Sequence, residues 1–222
     1  MSFLGVLMLD TRFPRPVGDI GNPQTFARLG IPVRYLTVPG ASPHKVVRET
    51  DALVIKPFTD AAQSLVALGA RMISTSCGFL ARYQRELQAA VPVPVLSSSL
   101  LWLAAPERLG GPAGVLTIDA PALDARQFAG AGADPATPVQ GVEAGCEFQR
   151  RIVGNATTPD LAQAGRDVVA AAQALVQRHP ELTTLVLECT NMPPYADAVR
   201  AATGRRVEHL ISLIDQHWSA LP

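Results

Sequence analysis

Two cysteines at matching places in the two halves of the sequence are the residues best suited to chemistry. Cys77 follows the predicted strand that ends in Met72–Ser76, and Cys189 follows the run Leu185–Glu188. A helix N-terminus after each thiol is expected to favour the thiolate and lower the thiol pKa. A thiol of that kind can act as base or acid near neutral pH. Two of them facing each other across a cleft suit moving a proton from one face of a carbon to the other.

The segments that must position these thiols recur along the chain. The opening Gly5–Asp10 is matched by Gly114–Asp119, and the helical segment Ala61–Val66 is matched by Ala171–Val176. Strands and helices alternate throughout, which predicts parallel sheets with right-handed crossovers. We therefore expect an α/β protein with two pseudo-symmetric Rossmann-like lobes and an active site in the cleft between them.

The repeat also predicts where the lobes begin and end. The first lobe is expected over residues 1–98, joined by a C-terminal helix within 207–222, and the second over 112–204. A long helix is predicted from Pro159 to Arg178 with Thr158 as its cap. The stretch from Glu143 to Thr158 is predicted to be a loop.

Composition narrows the function classes. The 222 residues are 48% hydrophobic and 17% charged with a formal net charge of zero, so neither nucleic acid nor a membrane surface is an expected partner. The apolar stretch 91–105 is interrupted by prolines and serines and is not predicted to span a membrane. No signal peptide is apparent, and three widely spaced cysteines predict free thiols in a reducing cytoplasm. The histidines lack metal-ligand spacing.

The motifs STSCGFL around Cys77 and LECTNMPPY around Cys189 resemble the two cysteine motifs of the aspartate/glutamate racemase superfamily. The resemblance implies a cofactor-independent enzyme without a metal, with Cys77 and Cys189 as the acid–base pair. It also implies a small carboxylate substrate and, as in many similar proteins, a homodimer. The substrate-binding residues that it implies are Asp10, Thr75, Ser76, Gly78, Phe79, Thr190 and Asn191.

The expected function is a racemase or epimerase that acts on an amino acid or related carboxylate by two-cysteine proton transfer. Glutamate racemases typically carry Gly-Cys-Thr-His where this chain has Glu188–Asn191, so glutamate itself is not the expected substrate. A hydantoin racemase, or a single-thiol decarboxylase or cis–trans isomerase of the same superfamily, is an alternative. A binding module without turnover is a further one.

Several charged or reactive residues allow two interpretations. Strand alternation predicts that Glu188 points away from a ligand beside Cys189. Cys146 is expected to be an incidental thiol or to lie in a loop that lines the cleft. Arg12 and Arg15 are expected to be solvated, with a clamp on a second substrate carboxylate as the alternative. Asp119 mirrors Asp10 and is expected to cap a helix or to orient the second thiol.

Overall fold

Two parallel four-stranded sheets form the centre of the protein in a computed structural model that describes residues 2–48 and 55–221. The first sheet has the order β2-β1-β3-β4 and the second the order β6-β5-β7-β8, so the two halves share one topology. The predicted α/β class with two pseudo-symmetric Rossmann-like lobes is confirmed. The strands are β1 (Phe3–Met8), β2 (Val33–Thr37), β3 (Ala70–Thr75), β4 (Val95–Leu96), β5 (Ala113–Thr117), β6 (Val139–Gly141), β7 (Thr184–Leu187) and β8 (Arg206–His209).

Helices cover the sheets and bury both faces of the central strands. Every residue of β1 and of β7 is buried, as expected of parallel strands packed on both sides. The helices are α1 (Pro23–Ala27), α2 (Pro43–Arg48), α3 (Ile55–Ala67), α4 (Gln84–Ala89), α5 (Ala125–Ala131), α6 (Glu147–Ile152), α7 (Leu161–Arg178), α8 (Ala196–Thr203) and α9 (Leu210–Ser219). Within the two described ranges, none of these helices is long and apolar enough to cross a membrane.

The C-terminal segment divides between the lobes. Strand β8 pairs with β7 and so belongs to the second sheet. Helix α9 buries Leu210, Leu213 and Ile214 in an apolar cluster that also contains Leu4 and Met72 of the first sheet. The exact lobe boundaries at residues 98, 112 and 204 stay a prediction.

The local predictions differ from the structure mainly between the strands. The expected loop 143–158 contains α6, whose Phe148 and Ile152 are buried. The long helix α7 is capped by Asp160, whose side chain accepts from the N–H groups of Ala162 and Gln163, and not by Thr158. Asp160 lies one residue before the first helical N–H groups, which is where a capping oxygen must be.

Candidate active site

Both predicted thiols lie in one cleft between the lobes. Cys77 follows β3 and Cys189 follows β7, the two strands that occupy equivalent places in the two sheets. Each side chain is less than one tenth exposed. The cleft is lined by Leu9, Thr11, Phe13, Arg15, Pro43, Ser76, Cys77, Gly78, Phe79, Ile118, Ile152, Val153, Glu188, Cys189, Thr190 and Asn191.

The first thiol is placed by the end of β3. The N–H of Ser76 donates to the Leu7 carbonyl at 2.9 Å, and the Ser76 Oγ accepts from the N–H of Leu9 at 2.8 Å. Cys77 then adopts an extended conformation and precedes a 3-10 helix over Gly78–Tyr83. This turn brings backbone N–H groups at the start of the helix towards the Cys77 sulfur.

The second thiol is placed in the same way with one change of residue type. The N–H of Glu188 donates to the Leu116 carbonyl at 2.8 Å, so Glu188 occupies the position that Ser76 has in the first lobe. Its Oε2 accepts from the Thr117 hydroxyl at 2.7 Å. The Cys189 sulfur lies 3.7 Å from the Asn191 Oδ1, in reach of a thiol hydrogen bond.

Direct hydrogen bonds between the lobes fix the two thiols relative to each other. The Thr190 hydroxyl donates to the Ser76 carbonyl at 2.7 Å, and the Ser99 hydroxyl donates to the Leu187 carbonyl at 2.7 Å. Each bond is buried and joins the end of one central strand to the other lobe. The cleft is therefore held by rigid elements and not by loops alone.

A buried carboxylate joins the loop after β1 to the second lobe. Asp19 accepts from Arg15 at 2.7 Å and from the Asn191 Nδ2 at 2.7 Å, and it lies 3.6 Å from the Arg151 guanidinium. Because the Asn191 amide nitrogen donates to Asp19, its oxygen is left to face Cys189. Sequence reasoning missed the site roles of Asp19 and Arg151, because a loop has no fixed spacing that would pair Arg15 with Asp19.

Burial dominates the acidity of both thiols, which corrects the expected lowering of their pKa. It raises the pKa of Cys77 to about 12, with a further rise from the Glu188 carboxylate and smaller opposing effects of the Phe79 and Leu80 N–H groups. Burial and Glu188 also raise the pKa of Cys189 well above its ordinary value. Burial raises the pKa of Glu188 to about 7, against the hydrogen bond from Thr117.

Most of the predicted site residues meet in the cleft, but two do not line it. Ser76, Gly78, Phe79, Thr190 and Asn191 line it beside the thiols. Thr75 is buried behind Cys77, where its hydroxyl donates to the Ser97 carbonyl at 2.8 Å. The Asp10 side chain is exposed, because the chain turns outward after β1.

The structure shows which of the residues with two interpretations line the cleft. Glu188 lines the cleft, which corrects the expectation that it points away. Arg15 lines the cleft as well, whereas Arg12 is exposed. Cys146 is half-buried at the start of α6 and is not among the lining residues. The side chain of Asp119 accepts from the Ala122 N–H, which is the capping role.

Among the described lining residues, the groups suited to chemistry are two thiols, one carboxyl group and one guanidinium beside an apolar wall. Phe13, Phe79, Ile118, Ile152 and Val153 form this wall. The free space is a cavity of about 20 Å³, enough for about one water molecule. Across residues 2–48 and 55–221, no group of three or more His, Cys, Asp or Glu side chains is arranged to hold a metal ion.

Comparison with characterised proteins points to lyases. No family model matches the chain. It is 29% identical to a dimethylsulfoniopropionate lyase of Durusdinium sp. clade D over 96% of this chain and 72% of the relative. It is 29% identical to dimethylsulfoniopropionate lyase 7 of Emiliania huxleyi over 98% of this chain and 67% of the relative. It is 30% identical to lyase 3 of the same organism, of which it spans 55%.

Solved structures show the fold. Arylmalonate decarboxylase aligns with a TM-score of 0.61 at 16% identity, over 97% of this chain and 90% of that one. Glutamate racemase from Aquifex pyrophilus aligns with a TM-score of 0.58 at 14% identity, over 99% and 83%. Aspartate racemase from Picrophilus torridus aligns with a TM-score of 0.57 at 12% identity, over 97% and 92%. The chain thus has the fold of the aspartate/glutamate racemase superfamily.

These findings correct the function expected from the sequence. The motifs predicted an isomerase that racemises or epimerises a carboxylate, but the relatives in sequence are named as lyases. The racemases are similar in fold alone, at identities well below those of the lyases. The prediction of a racemase, and of the isomerase class, is therefore wrong.

Proposed function

We propose that the protein is a lyase that cleaves the C–S bond of dimethylsulfoniopropionate to give dimethyl sulfide and acrylate. The observation that carries this proposal is the similarity of nearly the whole chain to dimethylsulfoniopropionate lyases. The cleft supports it, because two thiols that could serve as base line it together with the Arg15 guanidinium. Proton removal next to a carboxylate is within the range of thiol chemistry.

The reaction is a β-elimination. One thiol, as its thiolate, removes a proton from the carbon next to the carboxylate. The electron pair of that C–H bond forms the C=C bond of acrylate, and the C–S bond breaks with its pair going to sulfur. Dimethyl sulfide leaves as a neutral molecule, and the thiol keeps the proton. Negative charge develops on the carboxylate side during this step, so donors fixed there stabilise the transition state.

The arrangement of charge in the cleft suits a molecule with a carboxylate at one end and a sulfonium group at the other. The Arg15 guanidinium can hold the carboxylate with charge-assisted hydrogen bonds. The apolar wall with Phe79, Ile118 and Ile152 suits the methylated sulfur, and an aromatic face attracts a ligand cation.

The test is to supply dimethylsulfoniopropionate to the purified protein and to measure dimethyl sulfide by gas chromatography and acrylate by NMR. We expect both products in equal amounts. Cys77→Ser and Cys189→Ser are then compared with the wild type. The variant that removes the base is expected to lose about 10²- to 10⁴-fold in rate.

Cys146→Ser is the matched control, because this third thiol lies outside the cleft. It is expected to keep the wild-type rate. Absence of dimethyl sulfide with the wild-type protein would contradict the proposed reaction. Full activity in both cleft variants would contradict the role of the thiols.

A further inference from the structure

Glu188 is a buried carboxyl group with one oxygen left unpaired. Its side chain is fully shielded from solvent, and Oε2 accepts from the Thr117 hydroxyl. Oε1 has no hydrogen-bond partner among the described residues. A buried carboxylate oxygen without a partner is costly, so it points to a proton or a ligand that is present during function.

The unpaired oxygen belongs to a side chain that lines the same cleft as both thiols. A Cβ atom placed on Gly78 would be 2.2 Å from the Glu188 Oε1, so this oxygen packs against the residue that follows Cys77. Glu188 is also the immediate neighbour of Cys189. Its charge acts on both thiols and raises the pKa of each. One carboxyl group therefore serves both halves of the cleft.

A lyase must dispose of the proton that it removes from its substrate, whereas a racemase need not. Racemisation returns a proton to the substrate, whereas the proposed elimination releases one proton in each turnover. The thiolate must also form from a buried thiol, whose proton needs an acceptor that does not require solvent. Asp19, a second acidic group that the described part of the chain places near the cleft, is already occupied by Arg15 and Asn191.

We propose that Glu188 is the proton acceptor for the thiol that acts as base. The inference rests on the proposed function. The Glu188 carboxylate first takes the proton of the thiol and leaves a thiolate. The thiolate removes the substrate proton, the C=C bond forms, and dimethyl sulfide leaves with the electron pair of the C–S bond. After the products have left, water that enters the cleft accepts the proton from Glu188, which restores the starting state and accounts for the one proton released.

The pH dependence follows from this exchange. Below about pH 7 both Glu188 and the thiol carry a proton, so activity falls about tenfold for each pH unit. Above pH 7 the proton moves within the pair, so the rate is constant. Other titratable and charged groups also act on the two thiols at a distance. Arg15 lowers the pKa of Cys77, whereas Asp19 and Cys77 raise the pKa of Cys189.

The variant Glu188→Gln tests the transfer of the thiol proton to Glu188. Without the acceptor, the thiolate forms only by losing its proton to bulk water. We expect kcat/KM at pH 7 to fall about 10²-fold and to rise about tenfold for each pH unit up to at least pH 9. Unchanged activity with an unchanged pH profile would overturn the proposal. Increased activity at pH 7 would also overturn it, because Glu188 would then act only by raising the thiol pKa.

Glu208→Gln is the matched control. Glu208 is a nearly buried carboxylate at the end of β8 in the same sheet, and it is paired with Arg206 and Ser212 away from the cleft. Its substitution is expected to leave the pH profile unchanged.

A second variant keeps the carboxyl group: Thr117→Val removes the hydrogen bond that lowers the Glu188 pKa. The acid limb of the profile is then expected to move to higher pH, and an unmoved limb would overturn the proposal.

A readout without substrate separates this inference from the proposed function. The rate of alkylation of Cys77 and Cys189 by iodoacetamide is followed by peptide mass spectrometry between pH 5 and 10. In the wild-type protein we expect the rate of the reacting thiol to rise to a plateau near pH 7, and in Glu188→Gln we expect this plateau to be lost. If the alkylation rate of the wild-type protein shows no rise to a plateau near pH 7, the proton transfer to Glu188 is overturned. If no dimethyl sulfide is formed, only the lyase proposal is overturned.

Discussion

Arg15 carries the positive charge of the cleft wall among the described lining residues. Its guanidinium is bound on one side by Asp19 at 2.7 Å and by the Thr11 hydroxyl at 2.9 Å, and it lies 4.5 Å from the centre of the Phe13 ring. These contacts fix the orientation of the group before a substrate arrives. A fixed guanidinium loses less conformational entropy when it binds a carboxylate.

Substitution of Arg15 is expected to weaken substrate binding. Arg15→Met removes the charge-assisted hydrogen bonds to the carboxylate, each worth about 1.5–3 kcal/mol, so KM should rise at least about tenfold. Arg12→Met is the control, because Arg12 is exposed and only its backbone N–H contacts Asn155. Initial rates over a range of dimethylsulfoniopropionate concentrations measure the difference. Equal KM values in the two variants would show that Arg15 does not hold the carboxylate.

For single residues, the sequence indicated which side chains meet in the cleft but not how burial changes their pKa values. The repeat placed Cys77 and Cys189 in one cleft because each follows a central strand. The alternation rule failed at Glu188 because β7 ends at Leu187, and beyond a strand neighbouring side chains need not point to opposite faces. The lowered thiol pKa was wrong because burial, which depends on the whole cleft, outweighs nearby N–H groups.

The loop after β1 and helix α6 act together as the element that closes the cleft. The Asn155 side chain after α6 accepts from the N–H groups of Arg12 and Phe13, and Arg151 donates to the Pro14 carbonyl at 2.9 Å. The strands were predictable from apolar runs between turns. Helix α6 was not, because it is short and one of its buried residues is the charged Arg151, two of whose partners lie in a loop distant in sequence.

Asp19 is expected to hold this element together. Asp19→Asn removes the charge that faces two buried or half-buried arginines, which should lower the free energy of unfolding by about 3–5 kcal/mol. It should also reduce activity, because the single oxygen of Asn cannot accept from both Arg15 and Asn191, and the bond that orients Asn191 towards Cys189 is weakened. Asp124→Asn is the control, since the Asp124–Arg126 pair is exposed and worth less than about 1 kcal/mol. Urea unfolding compares the variants, and equal midpoints would refute the role of Asp19.

Under the proposed function, the whole molecule is a frame in which negative charge forms beside the substrate carboxylate. The solved structures that share this frame include racemases and a decarboxylase, whereas the relatives in sequence are lyases. A carbanion formed in such a cleft is reprotonated or expels a group according to what the substrate carries. The paired thiols therefore identified the fold, and no residue pattern in the motifs indicated which reaction the proposed site would run.

Because the thiols belong to different lobes, the packing between the lobes should control the rate. Helix α5 of the second lobe contacts the 3-10 helix after Cys77, and a Cβ atom on Gly130 would lie 2.1 Å from the Ala81 carbonyl oxygen. Gly130→Ala must push the segment Gly78–Tyr83 away. We expect a loss of about 1–3 kcal/mol in stability and, from a displacement of about 1 Å at Cys77, a loss of about 10²-fold in kcat.

Ala129→Ser provides the comparison for this change, because Ala129 is the exposed neighbour on the same helix. It should keep both the wild-type melting temperature and the wild-type rate. Thermal unfolding and dimethyl sulfide production are measured on the same samples at a temperature where both variants are folded. A Gly130→Ala protein that is less stable but fully active would mean that the contact supports the fold without setting the position of Cys77. Loss of rate in the folded variant is the result expected if the spacing of the lobes sets the distance between thiol and substrate.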